Sequence, residues 1–386
     1  MKEINFMAAC IEDSVLYGAG YMQNILFQFD MAEESMIQKE GFKQFKNPYS
    51  FCIQAMFKHR KKLYCFSSNS YEIAVYHLEN KTITYYHYLD DWQQNHVEIH
   101  CVCCIGNQVW MLQRIQDPLV VVFCMEKEKY MTYKVDLRIL QNLNITLGAR
   151  FDSYINVGTS IWRCIPGNNA FLVFDTQKLE MEIVKLDVPC SPYTFSFSEE
   201  CFYIIEKNGK RIVVWNQYTK KSIVWETGYC GNKDRPFREA VRIKNKLFLI
   251  PFIEDEIYYY EICNEQIYYI CKLEYPIDFK RTSKGGLFTK YYLEKEKELY
   301  LFPFSGNGML CLNIDNLKFK FYSICMSDTE FIVNQIQARL PLNDTKVTLK
   351  VFLDYIKSII QDEENCFREY PIGKICWEKA RDYVDG

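Results

Sequence analysis

The sequence predicts an all-β chain, a seven-bladed β-propeller of four-stranded blades with a short C-terminal helical tail. Three observations predict it. A unit of two apolar strands joined by a polar hairpin recurs seven times, the leading aromatic and the closing polar residue keep one separation in six copies, and 16% of residues are aromatic, which suits pleated strands. A four-stranded twisted sheet has two apolar faces and cannot cover both alone. Radial packing lets each sheet cover its neighbours and leaves only short edges.

The first unit runs from Leu16 as LYGAGYMQNILFQFD, and its partners begin at Leu63, Val109, Ile161, Phe202, Leu247 and Leu299. The shared separation joins Tyr17 to Asp30, Tyr64 to His77, Trp162 to Asp175, Tyr203 to Asn216, Phe248 to Glu261 and Tyr300 to Asn313. The third copy, led by Trp110, is one residue longer, with Pro118 in its turn. An extended run precedes each pair, as at 51–57 and 239–243, and a polar alternating strand follows, as at 82–88 and 318–323. That makes four strands per unit. The leading aromatics stand 41 to 52 residues apart, the period of propeller blades. A β-sandwich also uses many short strands but does not require a constant separation.

The propeller is expected to span 1–328 and a helical extension 329–386. Within 345–360, Leu349, Phe352, Ile356 and Ile359 fall at helical spacing behind the N-cap candidates Asn343, Asp344 and Thr345. A second short helix is expected after Pro371, burying Ile375 and Trp377. Both are expected to dock on the propeller.

The units resemble degenerate kelch blades. In the first copy Leu16, Tyr17, Gly18, Ala19 and Gly20 stand near the kelch double glycine, and Phe29 and Asp30 near its aromatic-Asp pair. The fifth keeps Trp215, Asn216, Thr219 and Trp225 at kelch spacing. No blade has the double glycine in place, so the resemblance implies architecture and carries no function. The chain is also similar to uncharacterised propeller proteins of anaerobic Gram-positive bacteria.

Charge narrows the partners. With 46 Lys and Arg against 49 Asp and Glu, a net charge of -3 gives no footprint for nucleic acid and no polybasic anchor for a membrane. The first residues do not read as a signal peptide, and the most apolar run, 119–125, is too short to span a bilayer. A cytoplasmic protein is expected. Its 17 cysteines, scattered through apolar strands, suit a reducing compartment without disulfides.

No catalytic motif stands out. Cys101 and Cys104 have Cys-x-x-Cys spacing, but on a strand Cys101 and Cys103 share one face and Cys104 takes the other, so buried structural thiols are expected and no metal. Among the histidines, His77 closes a third strand, His87 falls on an outer strand, and only His96 and His100 could look into the channel as weak catalytic candidates. Propellers bind at a mouth formed by interblade loops and by the loops between second and third strands. The first set holds Asn47, Tyr49, Trp92, His96, Arg150, Asp152, Arg235, Arg238, Lys280, Arg281 and Lys284. The expected ligand-binding residues are Tyr49, Trp92, Arg150, Asp152, Arg235, Arg238, Arg281 and Lys284, because guanidinium forks clamp carboxylate or phosphate and aromatic faces stack on sugars or bases. The second set, with Arg114, Asp117, Asn168, Lys210, Glu254, Asp255 and Asn307, is mixed in sign and suits a protein partner. Glu254, Asp255 and Glu256 are expected to be solvated at a hairpin tip. The expected function is a non-enzymatic binding scaffold for a protein or a small anionic ligand, such as an acidic sugar or sugar nucleotide, with no cofactor. The alternative is a carbohydrate-active lyase, hydrolase or isomerase at the same mouth.

Overall fold

The structure is a computed structural model that describes residues 2–3, 6–20, 25–42, 53–67, 72–87, 99–113, 119–135, 153–165, 167–252, 254–280, 288–293, 297–303, 306–326 and 353. Seven antiparallel four-stranded sheets follow one another along the chain at 6–41, 53–87, 99–134, 154–185, 192–226, 237–273 and 288–323, which are blades 1 to 7. Strands pair in chain order within every blade, and first strands of adjacent blades lie against one another from blade 1 through blade 6 and between blades 7 and 1. The third strands, such as Ile25–Asp30 and Ala170–Asp175, are buried on both faces and read as near-continuous apolar runs. The fourth strands, such as Thr82–His87 and Glu180–Lys185, alternate exposed and half-buried, which matches their polar-apolar alternation.

The constant separation in six units has a local cause. The closing residue pairs with the first residue of the second strand in each of the six hairpins, for example Val15 with Asp30 and Ser160 with Asp175. Four closing residues are Asp or Asn, and each caps the next turn: one side-chain oxygen of Asp30, Asp175, Asn216 and Asn313 accepts two backbone N–H groups two and three residues on. These are Asx turns, which short polar side chains form at little conformational cost. The two N–H bonds also hold the Asp175 carboxyl below its usual range. The residue after the closing position then donates to a carbonyl of the first turn of its own blade. This latch recurs in all seven blades at 2.8–3.1 Å, from Met31 to Ser14 through Ile314 to Lys297.

The core lies between the blades. Seven apolar clusters fill the seven interfaces, and the one joining Ala9, Ile11, Phe27 and Phe29 of blade 1 to Tyr300, Phe302, Met309 and Tyr322 of blade 7 closes the ring. Each blade is one continuous stretch of chain. Beyond that cluster, the seam carries a two-residue antiparallel clasp, Lys2–Glu3 against Cys325–Met326. The cysteines described are free thiols. The expected tail helices, with Leu349, Phe352, Ile356, Ile359, Ile375 and Trp377, lie outside the described residues.

One polar pin joins blades 2 and 3. The Glu128 carboxylate accepts from Tyr64 Oη at 2.9 Å, Tyr86 Oη at 2.6 Å and Lys62 Nζ at 2.6 Å. Burial pushes Glu128 up, but the bonds from Lys62, Tyr86 and Tyr64 outweigh it and hold the carboxyl below its usual range. Burial and the same carboxylate push the Tyr86 phenol up to about 12. A depressed folded value means the pin stabilises fully above the unfolded glutamate value, about 4.3, and is lost as pH falls through the folded one. Glu128→Gln should therefore cost on the order of 1 kcal/mol at pH 7, a low figure for charge-assisted bonds because the carboxylate keeps some solvent. The gap between wild type and variant should narrow progressively in melts run downward from about pH 4.3.

Candidate binding mouth

The first strands share a feature that the sequence does not advertise. In five of them the pairing register shifts at the second residue: between Phe6 and Ala8, Ile53 and Ala55, Ile99 and Cys101, Pro192 and Thr194, and Phe237 and Glu239. The bulged residues are Met7, Gln54, His100, Tyr193 and Arg238, at equivalent positions where each strand enters the ring. A bulge bends its strand and re-aims one side chain, and bulges gather at barrel rims and beside functional sites. Two residues expected to matter, His100 and Arg238, thus fall in one backbone ring with Gln54 and Tyr193, which sequence reasoning missed. Burial holds the Tyr154 phenol of blade 4 well above its usual range, and Arg238 opposes that electrostatically.

The two expected loop sets share this mouth. Arg235 N–H, in the loop from blade 5 to blade 6, donates to Lys207 O of the blade 5 hairpin at 2.9 Å, and Lys207 N–H donates to Ser191 O at 2.9 Å. Gly209 completes that hairpin at φ +71°, where a Cβ would stand 2.3 Å from Pro236 Cγ. Only glycine satisfies both the backbone angle and the close approach. Here the cations largely meet acids. Lys207 pairs with Asp234 at 3.0 Å, Lys233 with Glu254 at 3.3 Å, and Arg211 grips the buried Glu206 with two N–H groups. Glu254 departs from the solvated state expected of it: its side chain is mostly buried and accepts from Tyr229 Oη at 2.7 Å. The loop from blade 5 folds over the hairpin tip and excludes water there. Asp255 stays exposed.

The loop from blade 6 to blade 7 is pinned by Asn307. Its amide donates to Asp278 O at 2.7 Å and accepts from Lys280 N–H at 2.8 Å, while the Tyr275 and Phe279 rings meet edge to face at 5.2 Å. Asn307, expected to meet a partner, is thus a clamp. Ile277, which it holds up, is 94% exposed.

On the blade 3 inner strand, Cys101 and Cys103 lie 3.5 Å apart, Sγ to Sγ, in the cluster shared with blade 4, and Cys104 packs on the opposite side with blade 2. The alternation expected of a strand holds. Burial and the neighbouring Cys103 push the Cys101 thiol well up, which keeps it protonated and unreactive. Among the described residues no three His, Cys, Asp or Glu side chains group as metal ligands. His77 closes its strand and bonds Thr84 Oγ1 at 3.0 Å, and His87 meets Glu72 at 2.7 Å on the outer strand. Tyr49, Trp92, His96, Arg150, Asp152, Arg281 and Lys284 lie outside the described residues, as do Asn47, Arg114 and Asp117.

No protein-family model and no curated protein matches the chain. Solved structures match it in fold. A catalytically inactive virginiamycin B lyase from Staphylococcus aureus, with quinupristin, aligns over 79% of this chain and 94% of its own at 11% identity and a TM-score of 0.54. A chain of the mitotic checkpoint complex aligns over 84% and 87% at 8% identity with a TM-score of 0.53. The RRP9 WD40 repeats align over 77% and 87% at 9% identity with a TM-score of 0.50. Such identities speak for the fold alone, and a lyase and WD40 repeats stand side by side among these matches. The chain is an all-β propeller of seven four-stranded blades, an architecture that commonly serves as a scaffold for protein interactions.

Proposed function

We propose that this protein is a non-enzymatic binding scaffold whose channel mouth recognises a protein partner or a small anionic ligand, an acidic sugar or sugar nucleotide. The observation that carries the reading is Ile277, a large aliphatic side chain in solvent at the mouth, on a loop that Asn307 pins by two bonds just after it. A preorganised apolar knob loses little entropy when a partner's pocket closes over it. A cytoplasmic setting suits the free thiols, and the 329–386 extension would pack on the propeller as helices. The kelch likeness describes the blades and adds no activity.

Affinity purification from the native host tests the reading. Wild type should retain a discrete protein that Ile277→Glu loses, with stability unchanged within about 0.5 kcal/mol because the side chain touches no core. Undiminished capture by the variant would sink it. A carbohydrate-active enzyme is the second reading, favoured by one observation: the backbone register sets His100, a potential proton carrier, level with Arg238.

A further inference from the structure

The corner of the mouth between blades 5 and 6 holds two buried donors with nothing to donate to. Tyr193, the bulged residue of blade 5, is 6% exposed, and its hydroxyl has no hydrogen-bond partner. Arg235 lies with its guanidinium carbon 5.5 Å from the centre of the Tyr193 ring, and its Nε is buried without a partner as well. The carboxylate beside it does not fill the role: Asp234 is 3.9 Å from that Nε and is held by Lys207 at 3.0 Å. The Arg235 backbone is fixed at this corner, with its N–H tied to Lys207 O and φ at 57°. A second guanidinium, Arg238, follows three residues on at the bulge of blade 6.

Buried polar groups are almost always matched in native proteins, so an unmatched pair on neighbouring side chains calls for a partner such as an ion, a ligand or a water. Its chemistry follows from the donors. Both can donate, one belongs to a cation, and a second arginine stands three residues on along the chain, so the best complement is an anion with at least two acceptor oxygens. We propose that Tyr193 Oη and Arg235 Nε hold an oxyanion of a ligand, a carboxylate or a phosphate, at the blade 5–6 corner of the mouth. The proposal rests on the reading of this mouth as a binding face but not on Ile277.

Calorimetric titration of the full chain with glucuronate, a uridine diphosphate sugar and inorganic phosphate tests it, with wild type beside Tyr193→Phe and Arg235→Gln. One of the three probes should bind wild type, and which one separates a carboxylate from a phosphate source. Each variant should weaken that probe by about tenfold, the loss of one bond to a charged group. Tyr193→Phe should also melt at or above the wild-type temperature, since it removes a hydroxyl that the unliganded protein leaves unmatched. A lower melting temperature for Tyr193→Phe would mean that the hydroxyl already bonds a structural water, and that overturns the proposal. So would equal affinity in all three proteins, or no binding by any probe. Loss of a partner protein on Ile277→Glu is a separate readout, so the two ideas fail independently.

Discussion

Trp215→Ala is expected to cost about 3–5 kcal/mol, the range for emptying a buried aromatic site. Trp215 is fully buried between blades 4 and 5, where its ring lies 5.6 Å from Phe202, 6.1 Å from Trp162 and 6.3 Å from Phe171. Those rings also touch one another, Trp162 to Phe202 at 4.5 Å and Phe171 to Phe195 at 5.0 Å. Removing the indole leaves rigid rings around a void into which little can collapse. Trp215→Phe is the informative companion. It keeps most of the volume and removes an indole N–H that is buried without a partner, so its cost should fall below about 1.5 kcal/mol. Chemical denaturation of the three proteins measures both. Equal losses for the two variants would mean that the indole, not the filled volume, holds this interface.

Gly308→Ala should cost about 3 kcal/mol, the upper end for overpacking. Gly308 opens the third strand of blade 7 and pairs with Ser323, and a Cβ there would stand 1.9 Å from Tyr322 O and 2.9 Å from Ile324 N. The obstacle is backbone, so relief requires parting the third and fourth strands. Tyr322 and Ile324 belong to the cluster that closes the ring, which carries the damage to the seam. Gly106→Ala provides the contrast. Its φ is +62° but the space around it is open, so only the local backbone preference is lost, about 1 kcal/mol. A ranking of melting temperatures with Gly308→Ala above Gly106→Ala would refute the steric account.

What was legible in the sequence was what local chemistry writes there. The hairpin of second and third strands, its constant length and the capping Asp or Asn all lie within about twenty residues of one another, so the repeat could be read from Tyr17 to Asp30 and again in five further units. The first strands were located less sharply: the run expected at 51–57 continues to His59, because its outer end is set by a turn and its inner end by a bulge. Bulges leave no residue signature. In sequence Tyr193 and Gln54 therefore look like ordinary strand residues, while His100 and Arg238 stand out only by residue type. Glu254 read as solvated because the loop that covers it arrives from the preceding blade. Ile277 read as one more apolar residue, since nothing in sequence distinguishes an aliphatic side chain facing solvent from one facing the core.

The way the ring is shut sets how this architecture can change. Among the described residues, no hydrogen-bonded ladder runs across the junction between the first and last blades except the two residues of the clasp. A gene encoding such a chain could gain or shed one whole unit without cutting a sheet, because neighbouring units meet mainly through greasy surfaces, with a few side-chain bonds such as those to Glu128. The same economy makes the junction the weak point under tension: a pull on both termini would part the clasp and then peel units off one at a time.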